Sequence, residues 1–169
     1  AAGIAFGIAD VLGRTSGQRS PFQVYTGTSV GSVNACWIAA YADDPSLSAQ
    51  SARRAWLGMD MESFLQVEPH KIFERRGADA GYSLFNPEPF EHKIGVELPW
   101  ERLRHNFREG NIDAVLLTAT ELRSGRSVWF TQTGSETICH DWQDARRSMM
   151  EVELTPEHVL ASSAIPLAF

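Results

Sequence analysis

A chain of 169 residues with 43% hydrophobic and 21% charged residues is long enough for one well-buried domain and ordinary in globular composition. Its formal charge of −6, with no Lys/Arg cluster in the sequence, argues against nucleic acid as a main partner and gives no attraction to an anionic membrane, so lipid contact would rest on apolar and aromatic surface. No apolar run approaches the roughly 20 residues that span a bilayer, and two cysteines, Cys36 and Cys139, make no disulfide framework.

In chain order, Ile4, Ile8 and Val11 or Leu12 recur at helical spacing among Ala and Gly. They predict a helix over Ala1–Leu12 that can lie close to a sheet and stops at Gly13. After a turn at Gly17–Pro21, Phe22–Thr26 reads as a short buried strand. Val30–Tyr41 is helical, with Val33, Trp37, Ile38 and Tyr41 near one stripe, and Asp43-Asp44-Pro45 is expected to end it. A second helix is expected from about Ser51 to Leu65. In SLFNPEPFEHKIG, Asn86 reads as the N-cap, Pro87 as the first helical residue and Gly95 as the residue past the end. LPWERLRHNFREG repeats that logic: Pro99 opens, Leu103 and Phe107 line a face, and Gly110 closes.

IDAVLLTATEL then predicts a buried strand, Arg123–Gly125 a turn and RSVWFTQ its hairpin partner. Thr155 caps a last helix carrying Val159 and Leu160, and Pro166 forces extended chain after it. Strands alternating with helices predict an α/β layered fold with a mainly parallel sheet and one antiparallel hairpin. The absence of repeats or linkers predicts a single domain over residues 1–169. Because the chain opens without a methionine or a leader and stops in mid-phrase at ASSAIPLAF, both ends read as cut and the domain is expected to be incomplete.

The stretch that carries chemistry is GTSVG, Gly27–Gly31. A turn serine and a catalytic serine both fit five letters. Placement at the seam of a strand and a helix favours a nucleophile: a sharp turn would lift Ser29 above the carboxyl edge of the sheet. Gly27 and Gly31 would lack the Cβ atoms that clash where strand and helix pack, so a side chain at Gly31 is expected to damage both fold and activity. Val30 would supply the first N–H aimed at a developing oxyanion.

A serine needs a base. His140 and His158 follow Ser29 in the chain, but neither sits in a loop just after a predicted strand. Asp43, Asp44 and Asp113 read as a helix stop and a strand lead-in, solvated rather than catalytic, and Asp79 precedes the relevant strand. His70, His92, His105, His140 and His158 show no metal-ligand spacing, so no metal is expected. Cys36 lies in an apolar helix as a small hydrophobe.

GTSVGSVNA (Gly27–Ala35), LLTATELRSGRSVWF (Leu116–Phe130) and ASSAIPLAF (Ala161–Phe169), in this order and at these separations, resemble three successive blocks of the patatin-like phospholipase family. SLFNPEPF fits the same pattern. The resemblance implies a three-layer α/β fold, with a mainly parallel central sheet and helices on both faces, and lipid acyl-ester hydrolysis by a serine–aspartate dyad without metal, calcium or other cofactor. The family's nucleophile maps onto Ser29. Its aspartate lies in an Asp-Gly-Gly or Asp-Gly-Ala motif beyond the block matching Ala161–Phe169, and its oxyanion loop lies before the helix matching Ala1–Leu12, so neither is expected within this chain.

The resemblance therefore implies a phospholipase A or lysophospholipase acting on a lipid acyl ester in lipid catabolism, with transient contact at a membrane surface and a cytoplasmic or peripheral-membrane location. An acyltransferase using the same serine, a histidine-dependent esterase acting through His158, and a lipid-binding or regulatory module that kept the fold without turnover remain the alternatives. Phe64, Leu65, Ile72, Phe73, Leu84 and Phe85, between Trp56 and Phe90, are core residues or the lining of an acyl-chain groove. Oligomeric state is not legible.

Overall fold

The structure, a computed structural model, describes residues 19–58, 88–134 and 141–164 together with Ile4. Strand β1 (Val24–Thr28) leads directly into helix α1 (Val30–Ala39), and α2 (Pro45–Leu57) follows. Helix α3 (Glu88–His92) runs on into a π-helical turn over Lys93–Glu97, and α4 (Trp100–Arg108) comes next. Then come β2 (Ala114–Thr120), β3 (Ser127–Thr133), β4 (Trp142–Gln143), β5 (Arg147–Glu151) and α5 (Pro156–Ser163).

The five strands form one sheet in the order β1-β2-β3-β5-β4. β1 and β2 are parallel, as are β3 and β5, while β2–β3 and β4–β5 are antiparallel. The α/β class and the β2–β3 hairpin are as expected from the sequence; β4 and β5 were not foreseen. Side chains alternate along a strand, and the register puts Tyr25, Val115, Leu117 and Phe130 on one face. Tyr25, Val115 and Leu117 share one core cluster with Val33, Cys36 and Trp37 of α1, Leu103 and Phe107 of α4, and Val159 of α5, and Phe130 packs against it. Apart from Ile4, the helix expected at Ala1–Leu12 lies outside the described residues. So do the Asn86 and Pro87 cap, the end of the second helix beyond Gly58, the six candidate groove residues, and Pro166. At the ends of the expected groove, Phe90 is core and the Trp56 ring packs against it.

Three boundaries differ from the sequence reading. Asp44-Pro45 does not merely stop α1: the Asp44 carboxylate accepts the Leu47 N–H at 3.1 Å and Pro45 opens α2, so this pair starts a helix six residues before Ser51. Gly95 ends nothing, because the chain widens into a π turn and passes through it to Glu97. Trp100 steadies that turn by donating its Nε1–H to the Ile94 carbonyl at 2.8 Å. The first strand is shifted, running to Thr28 and leaving Phe22 46% exposed. As expected, Gly110 closes α4 in the left-handed region at φ 64°.

The far end of α1 is tied down from α4. Asn106, fully buried, donates its Nδ2–H groups to the carbonyl of Ala40 at 2.9 Å and to Asp43 Oδ1 at 3.2 Å, while its Oδ1 accepts from Asn111 at 2.7 Å. Arg102 pairs with Asp43 at 2.6 Å and lies 4.6 Å from the centre of the Tyr41 ring. Asp43 and Asp44 are therefore structural groups, one in an ion pair and one an N-cap, rather than solvated carboxylates. At the other end of α1, Trp56 Nε1 of α2 donates to Asn34 Oδ1 at 2.8 Å, and Asn34 Nδ2 donates to the Val30 carbonyl at 3.1 Å. These contacts hold α1 against α4 and α2.

Candidate active site

The link between β1 and α1 is a single residue, Ser29, with φ 55° and ψ −130°. It is the only non-glycine residue at positive φ among the described residues, in a region that side chains avoid and that costs about 1–3 kcal/mol to occupy. Such a backbone turns sharply, so the strand hands over to the helix with no loop between. Gly27 makes the handover sterically feasible. A Cβ there would lie 2.2 Å from the Gly31 carbonyl oxygen and 2.6 Å from the Ser32 Cα.

Gly31 does not share that duty. A Cβ on it would meet nothing within 4 Å among the described residues, so the clash expected at both glycines is found there at Gly27 alone. The backbone of Gly31 crowds Gly27, while its own Cα points into the open.

Both peptide groups flanking Ser29 are held by buried hydroxyls. The Ser29 N–H donates to Ser162 Oγ at 3.1 Å, and Ser162 Oγ–H donates in turn to the Thr118 carbonyl at 2.7 Å. The Ser29 carbonyl accepts from the Ser32 N–H at 2.8 Å and from the Ser32 hydroxyl at 2.6 Å. A trans peptide points its N–H opposite to its C=O. Pinning the Ser29 carbonyl toward the helix therefore aims the Val30 N–H out of the helix N-terminus, where the dipole favours negative charge. The Ser29 hydroxyl itself has no hydrogen-bond partner among the described residues, and Val30 is 51% exposed. Beside the turn is a cavity of about 430 Å³ bordered by Thr26, Thr28, Gly31, Leu116, Thr118 and Trp129.

None of the described titratable groups is hydrogen-bonded to the Ser29 hydroxyl. Asp113 precedes Ala114, which pairs with Val24 at the opposite end of β1 from Ser29. Asp43 and Asp44 sit past the far end of α1. His158 is in the first turn of α5, where its Nδ1 accepts the Thr155 N–H at 3.1 Å to close a capping box and its ring meets Phe130 edge-on at 4.7 Å. Its pKa is lowered, first by burial, against a smaller upward pull from Glu157. Cys36 is fully buried and its thiol is pushed up to about 12 by desolvation, so it is the inert hydrophobe expected. Asp79, His70, His140 and Cys139 lie outside the described residues. Among the described residues, no group of His, Cys, Asp and Glu could hold a metal ion, and no helix is long and apolar enough to cross a membrane.

Two residues of the site had escaped notice in the sequence. Ser32 and Ser162 lie within GTSVGSVNA and ASSAIPLAF, but a buried serine carries no periodicity signal that reveals what it bonds.

A parallel strand that passes into a helix through one serine at positive φ, with glycine where backbone meets backbone, defines an α/β protein of the elbow type. The model of the patatin-like phospholipase family matches residues 2–169, nearly the whole chain, and the chain belongs to that family. No curated protein and no solved structure matches it.

Proposed function

We propose that the protein is a serine lipid acyl-ester hydrolase of phospholipase A or lysophospholipase type, with Ser29 as nucleophile. The observation that carries this reading is the strained Ser29 backbone between β1 and α1 in a chain of this family. Ser29 Oγ attacks the ester carbonyl while its proton passes to a general base. The Val30 N–H supports the developing oxyanion, and collapse expels the alcohol or lysophospholipid with a proton and leaves an acyl-serine. Water then attacks the acyl-serine, the carboxylic acid departs and the hydroxyl is restored. The family resemblance assigns the base to an aspartate in an Asp-Gly-[Gly/Ala] motif beyond the block matching Ala161–Phe169. Its ordinary pKa of about 3.9 makes it a weak base, for which close geometry and desolvation compensate.

Contact with a lipid surface fits the end of the sheet that bears Ser29. The β2–β3 turn and the start of β5 emerge there, carrying Leu122, 77% exposed, with Arg123, Arg126, Arg146 and Arg147. Against these four arginines stand two nearby carboxylates, Glu121 paired with Arg126 and Asp144 with Arg147. The overall charge of −6 thus conceals a locally basic end, and the expectation that net charge rules out attraction to anionic lipid does not carry over to this edge.

An acyltransferase shares the first half-reaction and differs only in the acceptor. The test of the nucleophile is intact mass after treatment with a fluorophosphonate. One adduct on the wild type and none on Ser29→Ala is expected; no adduct on a protein that contains the Asp-Gly-[Gly/Ala] segment would instead favour a non-catalytic lipid-binding module.

A further inference from the structure

The elbow is not held by its own strand and helix alone. Ser162 comes from the last turn of α5, is 7% exposed, and makes two hydrogen bonds whose direction follows from chemistry. A hydroxyl has a single proton. The Thr118 carbonyl can only accept, so that proton goes to Thr118, and Ser162 Oγ must then accept the Ser29 N–H. Thr118 in turn is the register partner of Thr28, the residue before Ser29. The chain of contacts thus runs from β2 through α5 to the peptide on the N-terminal side of Ser29, while Ser32 holds the peptide on its C-terminal side.

From this geometry we infer that Ser162 is a positioning residue for the reaction. Its hydroxyl, oriented by Thr118, fixes the Thr28–Ser29 peptide and so keeps the Ser29 side chain and the Val30 N–H aimed at one point. The inference rests on reading Ser29 as the nucleophile. A residue at φ 55° and ψ −130° has lower-energy conformations a peptide rotation away, and two pinned peptides close off that route from both sides. Without the Ser162 hydroxyl, the Ser29 N–H and the Thr118 carbonyl lose their shared partner, and rotation of the Thr28–Ser29 peptide toward another partner relieves both the strain and the unpaired donor. The nucleophile then spends most of its time misdirected. Substrate binding elsewhere is untouched, so the loss falls on kcat rather than KM.

Ser163 supplies a matched control. It is the next residue, 6% exposed, and its hydroxyl has no hydrogen-bond partner among the described residues. Removing it deletes an equally buried hydroxyl without touching the elbow.

The experiment compares wild type, Ser162→Ala, Ser162→Thr and Ser163→Ala in the intact protein, each well below its melting temperature. Two readings are taken: hydrogen exchange at the Ser29 amide, and steady-state hydrolysis of p-nitrophenyl butyrate with fluorophosphonate labelling alongside. We expect a protected Ser29 amide in wild type and Ser163→Ala, and at least tenfold faster exchange in Ser162→Ala. In that variant kcat and the labelling rate should fall by about 100-fold, the scale of a misplaced reacting group, with KM within about twofold of wild type. Ser162→Thr, which keeps the hydroxyl, should recover most of both. If Ser162→Ala proves insoluble, Ser162→Cys, isosteric but a far weaker hydrogen-bonding group, is read in the same way.

Equal Ser29 protection in wild type and Ser162→Ala, or a kcat loss no larger than that of Ser163→Ala, would overturn the inference. A protected Ser29 amide in a wild type that neither labels nor hydrolyses would leave the hydrogen bonds standing but overturn Ser29 as nucleophile, and with it any catalytic meaning for Ser162.

Discussion

The backbone N–H of Ser29 is bonded to the side chain of Ser162, a residue 133 positions further along the chain, at 3.1 Å. The bond joins the first and last of the three blocks that resemble the family, and its continuation to Thr118 recruits the middle one. Three separated stretches of sequence thus meet within two hydrogen bonds of a single strained residue. Their order in the chain follows from what each supplies: the turn, the neighbouring strand, and the helix that braces both.

The two glycines of the turn should respond with opposite signs. Gly27→Ala places a Cβ 2.2 Å from a backbone oxygen, a contact that no side-chain movement relieves. It should destabilise by about 3 kcal/mol and abolish fluorophosphonate labelling. Gly31→Ala adds a methyl that meets nothing within 4 Å among the described residues, within the first turn of α1, where Ala is favoured over Gly by up to about 1 kcal/mol. It should be neutral or mildly stabilising in urea denaturation. Equal destabilisation by the two would contradict the packing at the elbow.

How far the sequence reached can be judged at this same turn. The motif and its strand–helix setting located Ser29, Gly27 and Val30, because local chemistry demands glycine at a close approach and a helix after a strand. It misread Gly31, since which of two glycines faces the crowded side depends on the angle between β1 and α1. Residues distant in the chain, such as Asn106 and Trp56, hold α1 in its place. Asp44-Pro45 was read only as a stop, because the same dipeptide that ends one helix caps the next, and nothing local separates the two meanings. β4 and β5 are not legible because DWQDARRSMME has neither a clean alternation nor a strong turn signal; β5 exists by pairing with β3, and β4 by pairing with β5. The apolar run that marks Ala114–Thr120 as a buried strand is plain, since β2 lies inside the sheet between β1 and β3.

His158 should make the last helix sensitive to acid. Its pKa is lowered in the fold, chiefly by burial, from an ordinary value of about 6.5. The unfolded chain therefore binds the proton more readily, and stability rises with pH across the interval. The contribution is complete above about 6.5 and is lost as pH falls through the lowered folded pKa, because a protonated Nδ1 can no longer accept the Thr155 N–H. His158→Gln keeps an acceptor at the same capping-box position without titrating. The fall in melting temperature from pH 7.5 to 5.5 should be smaller in this variant than in wild type. An identical fall would exclude His158 as the titrating group.

Asn106 should be worth more than its single side chain suggests. Asn106→Ala leaves the Ala40 carbonyl and the Asn111 amide without their partner in a buried setting, a loss of about 3 kcal/mol. Urea titration should show a lower midpoint at unchanged slope. Asn106→Asp, which turns carboxylate oxygens toward that carbonyl and toward Asp43, should lose more at neutral pH than Asn106→Ala. If the two variants match, the polar contacts of Asn106 are not what holds α4 to α1.

The basic end of the sheet should govern attraction to anionic lipid. Arg123 and Arg146 have no carboxylate partner among the described residues, unlike Arg126 and Arg147. Replacing both by Gln should remove about 1 kcal/mol each near an anionic surface. Co-sedimentation with phosphatidylserine–phosphatidylcholine vesicles should then fall by roughly 30-fold in partition coefficient, while the much weaker binding to pure phosphatidylcholine stays unchanged. Unaltered partition on both vesicles would place the lipid contact elsewhere on the molecule.

Ser29 itself should be a site where stability and activity oppose each other. Its φ of 55° with ψ of −130° is tolerated by glycine at little cost but strains any residue with a Cβ. Ser29→Gly should therefore raise stability by about 1–2 kcal/mol in urea denaturation, and Ser29→Ala, which keeps the Cβ, should leave it nearly unchanged. Both remove the hydroxyl and should abolish fluorophosphonate labelling. The pair separates the backbone from the chemistry: a gain with Gly and none with Ala would locate strain at this residue. If Ser29→Gly were less stable than wild type, the turn would not be held against its own preference, and the restraint assigned to Ser162 and Ser32 would have nothing to oppose.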